Sequence, residues 1–328
     1  MARKRKGHPI NGWIILDKPL GFSSSQAVGK VKWLLKAAKA GHGGTLDPLA
    51  TGLLPIALGE ATKTVSYAMD GNKTYQFTVT WGEARTTDDA EGDISDTSDE
   101  RPTEQAILAA LPAFTGEIEQ VPPAYSAIKV DGKRAYALAR DGQTVELKTR
   151  TVRIDALTLV DMPDPDHASF ELRCGKGTYV RSIARDLALA LGTVGYVSKL
   201  RRTVVGPFEE KHAISLDSLE ELSHIAPPDE LRERSQSEIL DALGNNLLPV
   251  ETVLDDIPAL ALTPQETKSL RLGQAISILP VATRTPLKDV NQGDVVCAYL
   301  DGQLVALVKV QGGEIRPVRV LNLLETKE

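Results

Sequence analysis

The chain has 328 residues, of which 42% are hydrophobic and 25% charged, and its formal net charge is −6 at pH 7. This length is typical of one large domain joined to a smaller one, and no run of about 18 apolar residues suited to a membrane span occurs. The basic N-terminus MARKRK is not followed by an apolar segment, and Cys174 and Cys297 belong to no CxxC or His/Cys pattern. We therefore expect a cytoplasmic protein, neither exported nor membrane-spanning, without a disulfide framework or a zinc site.

Charge is distributed unevenly along the chain. Residues 86–100 contain seven acidic side chains and no lysine or arginine, whereas residues 171–202 contain seven basic side chains against two acids. Proteins that bind nucleic acids usually carry a basic excess, which argues against such a ligand here. The local field nevertheless steers a polyanion more than the total charge does. A basic face on this acidic chain therefore remains compatible with the composition.

The N-terminal part of the chain predicts a strand, a helix, a loop and a second strand. The segment WIILDKP, residues 13–19, is typical of a short buried strand closed by an X-Pro turn. Hydroxyls at residues 23–25 offer a helix N-cap, and apolar residues at helical spacing continue the predicted helix until Gly41 ends it. The segment TYQFTVTWG, residues 74–82, alternates apolar and polar side chains, which indicates a half-buried strand.

The middle and end of the chain predict a basic protrusion, a strand joined to a helix, and a β-rich tail. An amphipathic helix is expected around residues 104–111, and residues 121–150, where basic residues outnumber acids, indicate a protruding loop region. The segment ASFELRC is a strand that leads into a helix carrying Arg181 and Arg185 on one face. An acidic helical spacer follows over residues 217–256. Short strands, among them AISIL and a hairpin turning at Asp301-Gly302, then form the tail.

One aspartate stands out in the segment GHGGTLDPLATGLLP, residues 41–55. An Asp-Pro pair such as Asp47-Pro48 most often forms a structural turn. The leucines around Asp47 would, however, desolvate its carboxylate, which must then find a cation or become protonated. Such an acid is a candidate nucleophile or base. Both interpretations remain open on this evidence from the residues alone.

Several other side chains have a structural and a functional interpretation. The Arg181 side chain either extends into solvent or supplies the cation for Asp47 through two hydrogen bonds. Tyr75 is either a core residue or a platform on which a flat base stacks. His42 and Lys63 contact a substrate phosphate or have ordinary structural roles, and the basic residues of the KLRR segment share this ambiguity. These basic residues are Lys199, Arg201 and Arg202.

The common cofactor and nucleophile patterns are missing from the sequence. GHGGT lacks the Gly-Lys-Ser/Thr ending of a phosphate-binding loop, and no GxGxxG pattern occurs. No spacing suggests a Ser-His-Asp triad or a metal site. Any chemistry must therefore depend on carboxylate, tyrosine and arginine side chains.

With these residues in hand, the sequence closely resembles the TruB family, the tRNA pseudouridine 55 synthases of bacteria. The resemblance covers nearly the whole chain and is weakest after Leu260, where the tail is similar to a small PUA-type RNA-binding domain. At residues 43–45, GGT departs from the commoner family wording, while the frame around Asp47 is intact. Five blocks carry the resemblance: WIILDKPLGFSS; GHGGTLDPLATGLLPIALGEATK; KTYQFTVTWG with TTDDAEGD; VPPAYSAIKVDGKRAY; and GTYVRSIARDLALALG with KLRRTVVGPF.

The resemblance implies a fold and a set of roles. It implies an α+β fold with a mixed, largely antiparallel central sheet flanked by helices over residues 1–250, and a PUA-like domain over residues 251–328. Residues 121–150 would grip the RNA stem-loop. By motif, Asp47 would be the catalytic acid, Tyr75 would stack on the base and Arg181 would pair with Asp47. The implied substrate contacts are His42, Lys63, Leu200, Tyr179 and Lys129.

The implied reaction converts uridine 55 in the T arm of tRNA to pseudouridine by everting the base, with no cofactor, metal, membrane or obligatory protein partner, in a monomer. Asp47 would attack the sugar C1′, add to the uracil ring or remove a sugar proton, and the sequence does not choose among these. We expect the acidic run to stay solvated and away from the RNA.

Two other functions fit part of the sequence. A noncatalytic RNA-binding protein would use the same basic region and tail, although binding alone does not demand the set Asp47, Tyr75 and Arg181. An enzyme that releases uracil would also place a carboxylate near a glycosidic bond, but a second suitable carboxylate near Asp47 is missing.

Overall fold

The computed structural model of the chain describes residues 7–126, 129–130, 133–135, 147–224, 235–285 and 290–323. Within these ranges the chain forms one large sheet, one smaller sheet and two short ribbons. The strands in chain order are β1 (Gly12–Lys18), β2 (Ala40–His42), β3 (Ala50–Leu58), β4 (Lys73–Trp81), β5 (Glu83–Arg85), β6 (Ile94–Thr97), β7 (Gly116–Gln120), β8 (Lys129–Val130), β9 (Lys133–Arg134), β10 (Arg150–Asp164), β11 (His167–Cys174), β12 (Gly195–Val205), β13 (Phe208–Glu209), β14 (Ala213–Ser215), β15 (Ala259–Ala261), β16 (Ile276–Ser277), β17 (Val295–Leu300), β18 (Gln303–Gln311) and β19 (Glu314–Val320).

Helices cover the sheets and connect their strands. The α-helices are α1 (Ser24–Leu34), α2 (Val65–Asp70), α3 (Glu104–Ala110), α4 (Val180–Ala190), α5 (Leu216–His224), α6 (Gln236–Leu243), α7 (Pro264–Arg271) and α8 (Ile278–Ala282). A short 3₁₀ helix, Gly59–Lys63, follows β3. No helix in the described part of the chain is long and apolar enough to cross a membrane.

The large sheet is mixed and largely antiparallel. Its path runs β14-β1-β3-β12-β4-β11-β10-β7, with β13 beside β12 and β2 beside β3. Among the described strand pairs of the large sheet, only β1 with β14 and β3 with β12 are parallel. The α+β class with a mixed, largely antiparallel central sheet is therefore confirmed. Strand β12 inserts between β3 and β4, so residues far apart in sequence meet at the centre of the sheet.

Helix α1 begins where the hydroxyls predicted but ends earlier than expected. Ser23 forms a capping box with Gln26, in which each side chain accepts a hydrogen bond from the other residue's backbone N–H. Ala27, Val31 and Leu34 form its buried side. The helix ends at Leu34, not near Gly41, because the chain reverses through Lys36, whose φ is +46°. Residues 40–42 consequently extend as β2 along β3.

Strand β4 has the predicted alternation. Tyr75, Phe77, Val79 and Trp81 are buried, while Gln76 is exposed. The Phe77 and Trp81 rings contact Phe170 of β11, with ring centroids 5.3 and 6.4 Å from it. Helix α4 packs Ile183 and Leu187, both fully buried, into the same core. This face of the sheet, covered by α1 and α4, is called the core face below.

The smaller sheet has the order β15-β17-β18-β19-β16 and contains the predicted hairpin. Asp301 and Gly302, at φ values of +50° and +78°, form the tight turn between β17 and β18. The predicted strand AISIL is only partly correct. Ile276 and Ser277 pair with β19, but the Ser277 hydroxyl then caps α8, so the rest of the segment is helical.

A shared apolar cluster joins the two sheets. Trp13 and Phe208 of the large sheet are fully buried in one cluster with Leu307 and Leu321 of the smaller sheet's segment. The Lys63 ammonium donates to the Val320 carbonyl at 2.7 Å, which ties the 3₁₀ helix to the end of β19.

Candidate active site

Asp47 lies in the loop between β2 and β3, and three neighbouring elements fix this loop. Its carbonyl accepts a hydrogen bond from the Ala50 N–H at 3.1 Å, which closes an Asp-Pro turn. The Ser24 hydroxyl at the start of α1 accepts from the Leu46 N–H at 2.8 Å and lies 2.9 Å from the Leu46 carbonyl. The Lys18 ammonium at the end of β1 donates to the Pro48 carbonyl at 3.2 Å. The aspartate backbone is thus held from both sides.

Arg202 of β12 is the third support of this loop. Only 1% of this residue is exposed, and its guanidinium donates to the carbonyls of Leu53, Thr45 and Gly44 at 2.9, 3.3 and 3.1 Å. Gly52, at φ +93°, lets the Arg202 backbone approach so closely that a β-carbon would collide with it. Arg202 therefore binds both sides of the loop that carries Asp47, and of its two predicted roles the structure shows the structural one.

The predicted contact between Asp47 and Arg181 is present in the structure. Arg181 Nε lies 2.9 Å from Asp47 Oδ2. The other guanidinium nitrogens donate to the Thr87 carbonyl at 2.8 Å and to the Tyr125 carbonyl at 2.9 Å. Because three segments hold the guanidinium, its position, and with it that of the carboxylate, is fixed before any substrate binds.

The surroundings of Asp47 differ from the expected apolar pocket. The Asp47 side chain is 36% exposed, whereas that of Arg181 is only 5% exposed. Leu46, Leu53 and Leu54 are buried within the apolar clusters of the core. The carboxylate therefore faces an accessible surface with one side against a buried cation. The expected desolvation of the acid is therefore only partial, because more than a third of its side chain is exposed.

The acidic run has two parts, and its first part belongs to the site. Asp89 is 6% exposed, and its Oδ2 lies 3.5 Å from Arg181 Nη1, so the guanidinium contacts two carboxylates. Asp88 Oδ2 pairs with Arg185 at 3.0 Å. Burial raises the pKa of Asp88, and the arginine charges oppose this effect. The expectation that the whole run stays solvated is therefore wrong for Asp88 and Asp89, whereas Glu91 and Asp93 are exposed.

These ion pairs also change the interpretation of the basic segment 171–202. Arg181 and Arg185 are engaged by acids of the run, and Arg201 pairs with Asp17 and Glu210 at 3.0 and 2.7 Å. The basic side chains therefore do not form one free face. Those still exposed include Arg173 and Lys176.

Tyr75 and Leu200 lie beside the aspartate loop on the core face. Tyr75 of β4 is paired in register with Arg202, and Leu200 of β12 is paired with Ala50 at the end of the loop. Tyr75 is 9% exposed. Burial raises the pKa of its phenol, while the Arg202 charge and a hydrogen bond from Arg202 act in the opposite direction. The phenol is therefore a neutral group whose anionic form has a cation available.

Tyr179 is the N-cap residue of α4, two residues before Arg181. Gln120 holds it on both sides, accepting from the Tyr179 N–H at 2.8 Å and donating to the Tyr179 carbonyl at 3.1 Å. Burial raises the pKa of the Tyr179 phenol, and the charge of Arg150 lowers it in part. The Arg150 guanidinium lies 5.7 Å from the ring centroid. The charges of Asp47 and Arg181 also act on this phenol, so Tyr179 lies near the pair.

The remaining predicted contacts are placed differently. His42 is the last residue of β2, opposite Ile56 of β3, and the aspartate loop follows it directly. Lys63 bonds to Glu60 and Val320 at the junction of the two sheets, so its partners lie outside the group around Asp47. Lys129 is in β8, but its side chain lies outside the described residues, as do residues 127–128, 131–132 and 136–146 of the predicted RNA-gripping region.

Sequence reasoning missed three residues that organise the site. The roles of Lys18 and Asp89 could not be predicted, because a lysine at the end of a strand and an acidic run are ordinarily solvated. The signal for Arg202 was its spacing, because residues 200 and 202 of one strand share a face, and Leu200 was already expected beside the substrate. No metal-binding group of three or more His, Cys, Asp or Glu occurs within the part of the chain that the structure describes.

Two family profiles match the chain. One described as TruB family pseudouridylate synthase (N terminal domain) matches residues 32–180, and one described as tRNA pseudouridylate synthase B C-terminal domain matches residues 181–255. Curated proteins named tRNA pseudouridine synthase B from Rhodospirillum rubrum and Caulobacter vibrioides are 55% and 52% identical. Each match covers 98% of this chain and 100% of the relative. The chain belongs to the TruB family.

Solved structures support the TruB-family fold. A crystal structure of a Cbf5-Nop10-Gar1 complex contains a chain similar to this one, with a TM-score of 0.69 and 26% identity over 95% of this chain and 84% of that chain. An archaeal box H/ACA sRNP Nop10-Cbf5 complex gives a TM-score of 0.68 at 23% identity, covering 98% of this chain and 92% of the other. The second comparison concerns the fold alone.

Proposed function

We propose that this protein isomerises uridine 55 of tRNA to pseudouridine, with Asp47 as the catalytic carboxylate. The observation that carries the assignment is the accessible Asp47 carboxylate fixed 2.9 Å from the buried Arg181 guanidinium. Two tyrosines stand beside this pair, and its backbone is held by Ser24, Lys18 and Arg202. Membership of the TruB family, and relatives named tRNA pseudouridine synthase B that match along their full length, support the same reaction.

The reaction requires one bond to break and another to form on the same nucleotide. The N1–C1′ bond breaks, the uracil turns over, and C5 bonds to C1′; C5 loses a proton and N1 gains one. Asp47 attacks C1′, adds to the ring or removes a sugar proton, and each route requires an ionised carboxylate. Arg181 orients this carboxylate through a charge-assisted contact. Its remaining contacts to backbone carbonyls keep it in place through the cycle.

Tyr75 is placed to accept the C5 proton, directly or through water. A base must take this proton once C5 has bonded to C1′. The Tyr75 phenol has its pKa raised by burial, while Arg202 beside it favours the phenolate. The Arg202 charge thus lowers the cost of the anionic form that proton abstraction uses.

The target base must leave the folded RNA loop, which costs a few kcal/mol of unstacking. Tyr75 and Leu200 enclose the everted ring from the sheet, and Tyr179 contacts the same nucleotide from the start of α4. Aromatic stacking contributes about 1–3 kcal/mol per base and offsets this cost. We place His42 in the gap that the base leaves, and Lys63 and Lys129 against RNA phosphates.

We also propose the organisation of the whole chain in the cell. Residues 1–250 form the catalytic unit, in which residues 121–150 grip the T-arm stem-loop, and residues 251–328 form the RNA-binding PUA-like unit. The protein acts as a cytoplasmic monomer without an obligatory protein partner. Light scattering of the purified protein alone and with tRNA measures whether one chain binds one tRNA.

The assignment is tested by incubating the purified protein with unmodified tRNA and mapping pseudouridine along the product. We expect pseudouridine at position 55 with the wild type and none with Asp47→Asn, although this variant still binds tRNA. The substitution removes the charge while keeping the shape of the side chain.

Two outcomes would favour the other functions. If the wild type and Asp47→Asn bind tRNA equally and neither forms pseudouridine, the protein is an RNA-binding module. If free uracil accumulates in place of pseudouridine, the carboxylate serves hydrolysis of the glycosidic bond.

A further inference from the structure

A cavity of about 650 Å³ opens on the opposite side of the large sheet from Tyr75. Its lining comes from the start of β4, the start of β10 and the end of β11, which meet at one end of the sheet. Successive strand residues point to opposite faces, so Thr74 lines this cavity while its neighbour Tyr75 points to the active site. Its lining residues are Asn72, Lys73, Thr74, Arg153, Asp155 and Arg173.

The lining carries more positive than negative charge. Lys73, Arg153 and Arg173 face one carboxylate, that of Asp155. Arg153 is engaged, with its Nε 3.0 Å from Asp155 and a hydrogen bond of 2.6 Å to the Asn72 side chain. The Lys73 ammonium donates to the backbone carbonyls of Met69 and Gly71.

Arg173 stands apart from the other two cations. Its side chain is exposed and meets no hydrogen-bond acceptor or acid within the described ranges of the chain. It lies opposite Thr74 across the β4–β11 pair. An unpaired guanidinium beside a second guanidinium and an ammonium in a concave site attracts an anion, because the like charges together raise the local potential.

Further basic residues connect this cavity to the active site over the end of the sheet. Arg150, whose guanidinium contacts the Tyr179 ring, begins β10, and Arg153 follows three residues later. The Arg153 carbonyl accepts from the Gly175 N–H at 2.9 Å, which places the turn after β11 beside it. Lys176 in that turn is 70% exposed and is paired with Asp70, itself 57% exposed. We call the set Arg150, Arg153, Arg173 and Lys176 the basic track.

We propose that the basic track binds backbone phosphates of the tRNA substrate and leads the RNA strand away from the everted nucleotide, with Arg173 as its free phosphate ligand. This inference rests on the proposed function, because Tyr179 at the start of the track is a substrate contact only in that case. The position of the track favours RNA over an acidic protein partner, which the charges alone would also attract. The track starts at the nucleotide site, so the next groups along it belong to the same RNA.

The test measures tRNA affinity against salt for the wild type, Arg173→Gln and a control, Lys32→Gln. Lys32 is an exposed lysine in the last turn of α1, outside the track. Each phosphate contact contributes a slope of about 0.9 in the logarithm of affinity against the logarithm of salt concentration. Arg173→Gln should therefore lower the slope by about 0.9, and weaken binding about fifteenfold at 50 mM salt and about fourfold at 200 mM. Lys32→Gln should match the wild type.

Further measurements separate a binding role from damage to the fold. The rate of pseudouridine formation at saturating enzyme should not change in Arg173→Gln, whereas the half-saturating concentration should rise with the dissociation constant. Lys176→Gln, also at an exposed position, should weaken binding in the same direction. An unchanged melting temperature in both variants shows that the sheet is intact.

Repeating the titration with an isolated T-arm stem-loop identifies the source of the phosphate. A loss of affinity with both RNAs places the phosphate in the T arm, and a loss only with full-length tRNA places it elsewhere in the molecule. If Arg173→Gln and Lys176→Gln bind both RNAs as Lys32→Gln does, the track is a solvated surface and the inference is wrong. Because binding is measured without turnover, that failure is distinct from a wild type that forms no pseudouridine.

Discussion

Arg202 is a buried cation whose hydrogen-bond partners are mainly backbone carbonyls of the aspartate loop. It donates to Leu53, Thr45 and Gly44 and lies beside the Tyr75 phenol. Each buried carbonyl that loses its donor costs about 1–3 kcal/mol. This residue therefore couples the stability of the sheet centre to the position of Asp47.

Substitution of Arg202 by methionine should lower the free energy of unfolding by roughly 3 kcal/mol or more. Arg201→Met is the matched control, because Arg201 is the neighbouring residue, 34% exposed, and pairs with the partly exposed acids Asp17 and Glu210. Its loss should cost about 1 kcal/mol or less. Denaturant titrations of both variants measure the difference, and equal costs would show that Arg202 does not hold the loop.

Lys18 gives the site a pH dependence on the alkaline side. The residue is fully buried, and its ammonium donates to the carbonyls of Pro19, Phe22 and Pro48. Burial lowers its pKa to about 8, although the Asp47 charge raises it in part. As pH rises through 8 the ammonium loses its proton, and the loop that carries Asp47 loses a charged donor. We expect pseudouridine formation to decline with an apparent pKa near this value.

The stability contribution of Lys18 should change in the opposite direction. Its pKa in the folded protein lies below the ordinary lysine value of 10.5, so between about pH 8 and 10.5 the unfolded chain binds more protons than the native state. This term alone makes the free energy of unfolding rise with pH across that window. Lys73 also has its pKa lowered to about 8 by burial, but it bonds to carbonyls outside the aspartate loop. If Lys73→Met abolished the alkaline decline of activity, the assignment to Lys18 would be wrong.

At the scale of elements, the start of the acidic run forms hydrogen bonds and ion pairs with the arginines of α4. Thr87 and Asp89 hold the side of Arg181 that faces away from Asp47, and the Asp89 carboxylate is itself oriented by the Thr87 hydroxyl and the Glu91 N–H. Arg181 is thus placed between two carboxylates, of which only Asp47 is accessible.

Asp89→Asn should lower the rate of pseudouridine formation at saturating tRNA by roughly tenfold, equivalent to about 1.4 kcal/mol of misplaced charge. The half-saturating tRNA concentration should change little, since Asp89 is buried behind Arg181. Glu91→Gln combined with Asp93→Asn removes two exposed acids of the same run and should leave both quantities unaltered. Kinetics of the two variants measured side by side decide this, and a rate as high as that of the wild type in Asp89→Asn would contradict it.

Features that depend on neighbouring residues could be predicted from the sequence. Features that depend on contacts between distant residues could not. The alternation in β4, the serine cap of α1 and the Asp301-Gly302 turn depend on neighbouring residues and could be predicted from the sequence. The end of α1 could not, because it depends on how the chain reverses at Lys36. No local sequence pattern indicates that β12 inserts between β3 and β4. This insertion buries Arg202.

For the candidate site as well, local features could be predicted and most contacts between distant segments could not. The pairing of Asp47 with Arg181 was predicted from the need of an acid for a cation together with the family motifs. The exposure of Asp47 could not be predicted, because the residues next to a side chain in sequence need not surround it in space. The second carboxylate on Arg181 comes from a segment whose composition alone indicates a solvated loop.

For the whole molecule, the distribution of charge matters more than its total of −6. Asp88 and Asp89 form ion pairs with arginines of α4, and other acids lie in the exposed remainder of the run. The basic track remains as a connected positive surface beside the site. A protein with an acidic balance can therefore still present a local field that attracts RNA.

The two sheets should unfold together, because the cluster that joins them is as deeply buried as the core of each. Leu307 and Val308 are adjacent on β18 and point in opposite directions: Leu307 packs with Trp13 in the shared cluster, and Val308 packs within the small sheet. Calorimetry of the wild type should show a single transition. Leu307→Ala should weaken the junction by about 2–5 kcal/mol and separate the transition into two, with Trp13 becoming solvated in the first. Val308→Ala should shift the transition down without splitting it, since the contact between the sheets remains. Two well-separated transitions in the wild type would instead mean that the small sheet is held by too little buried surface to share the stability of the large one.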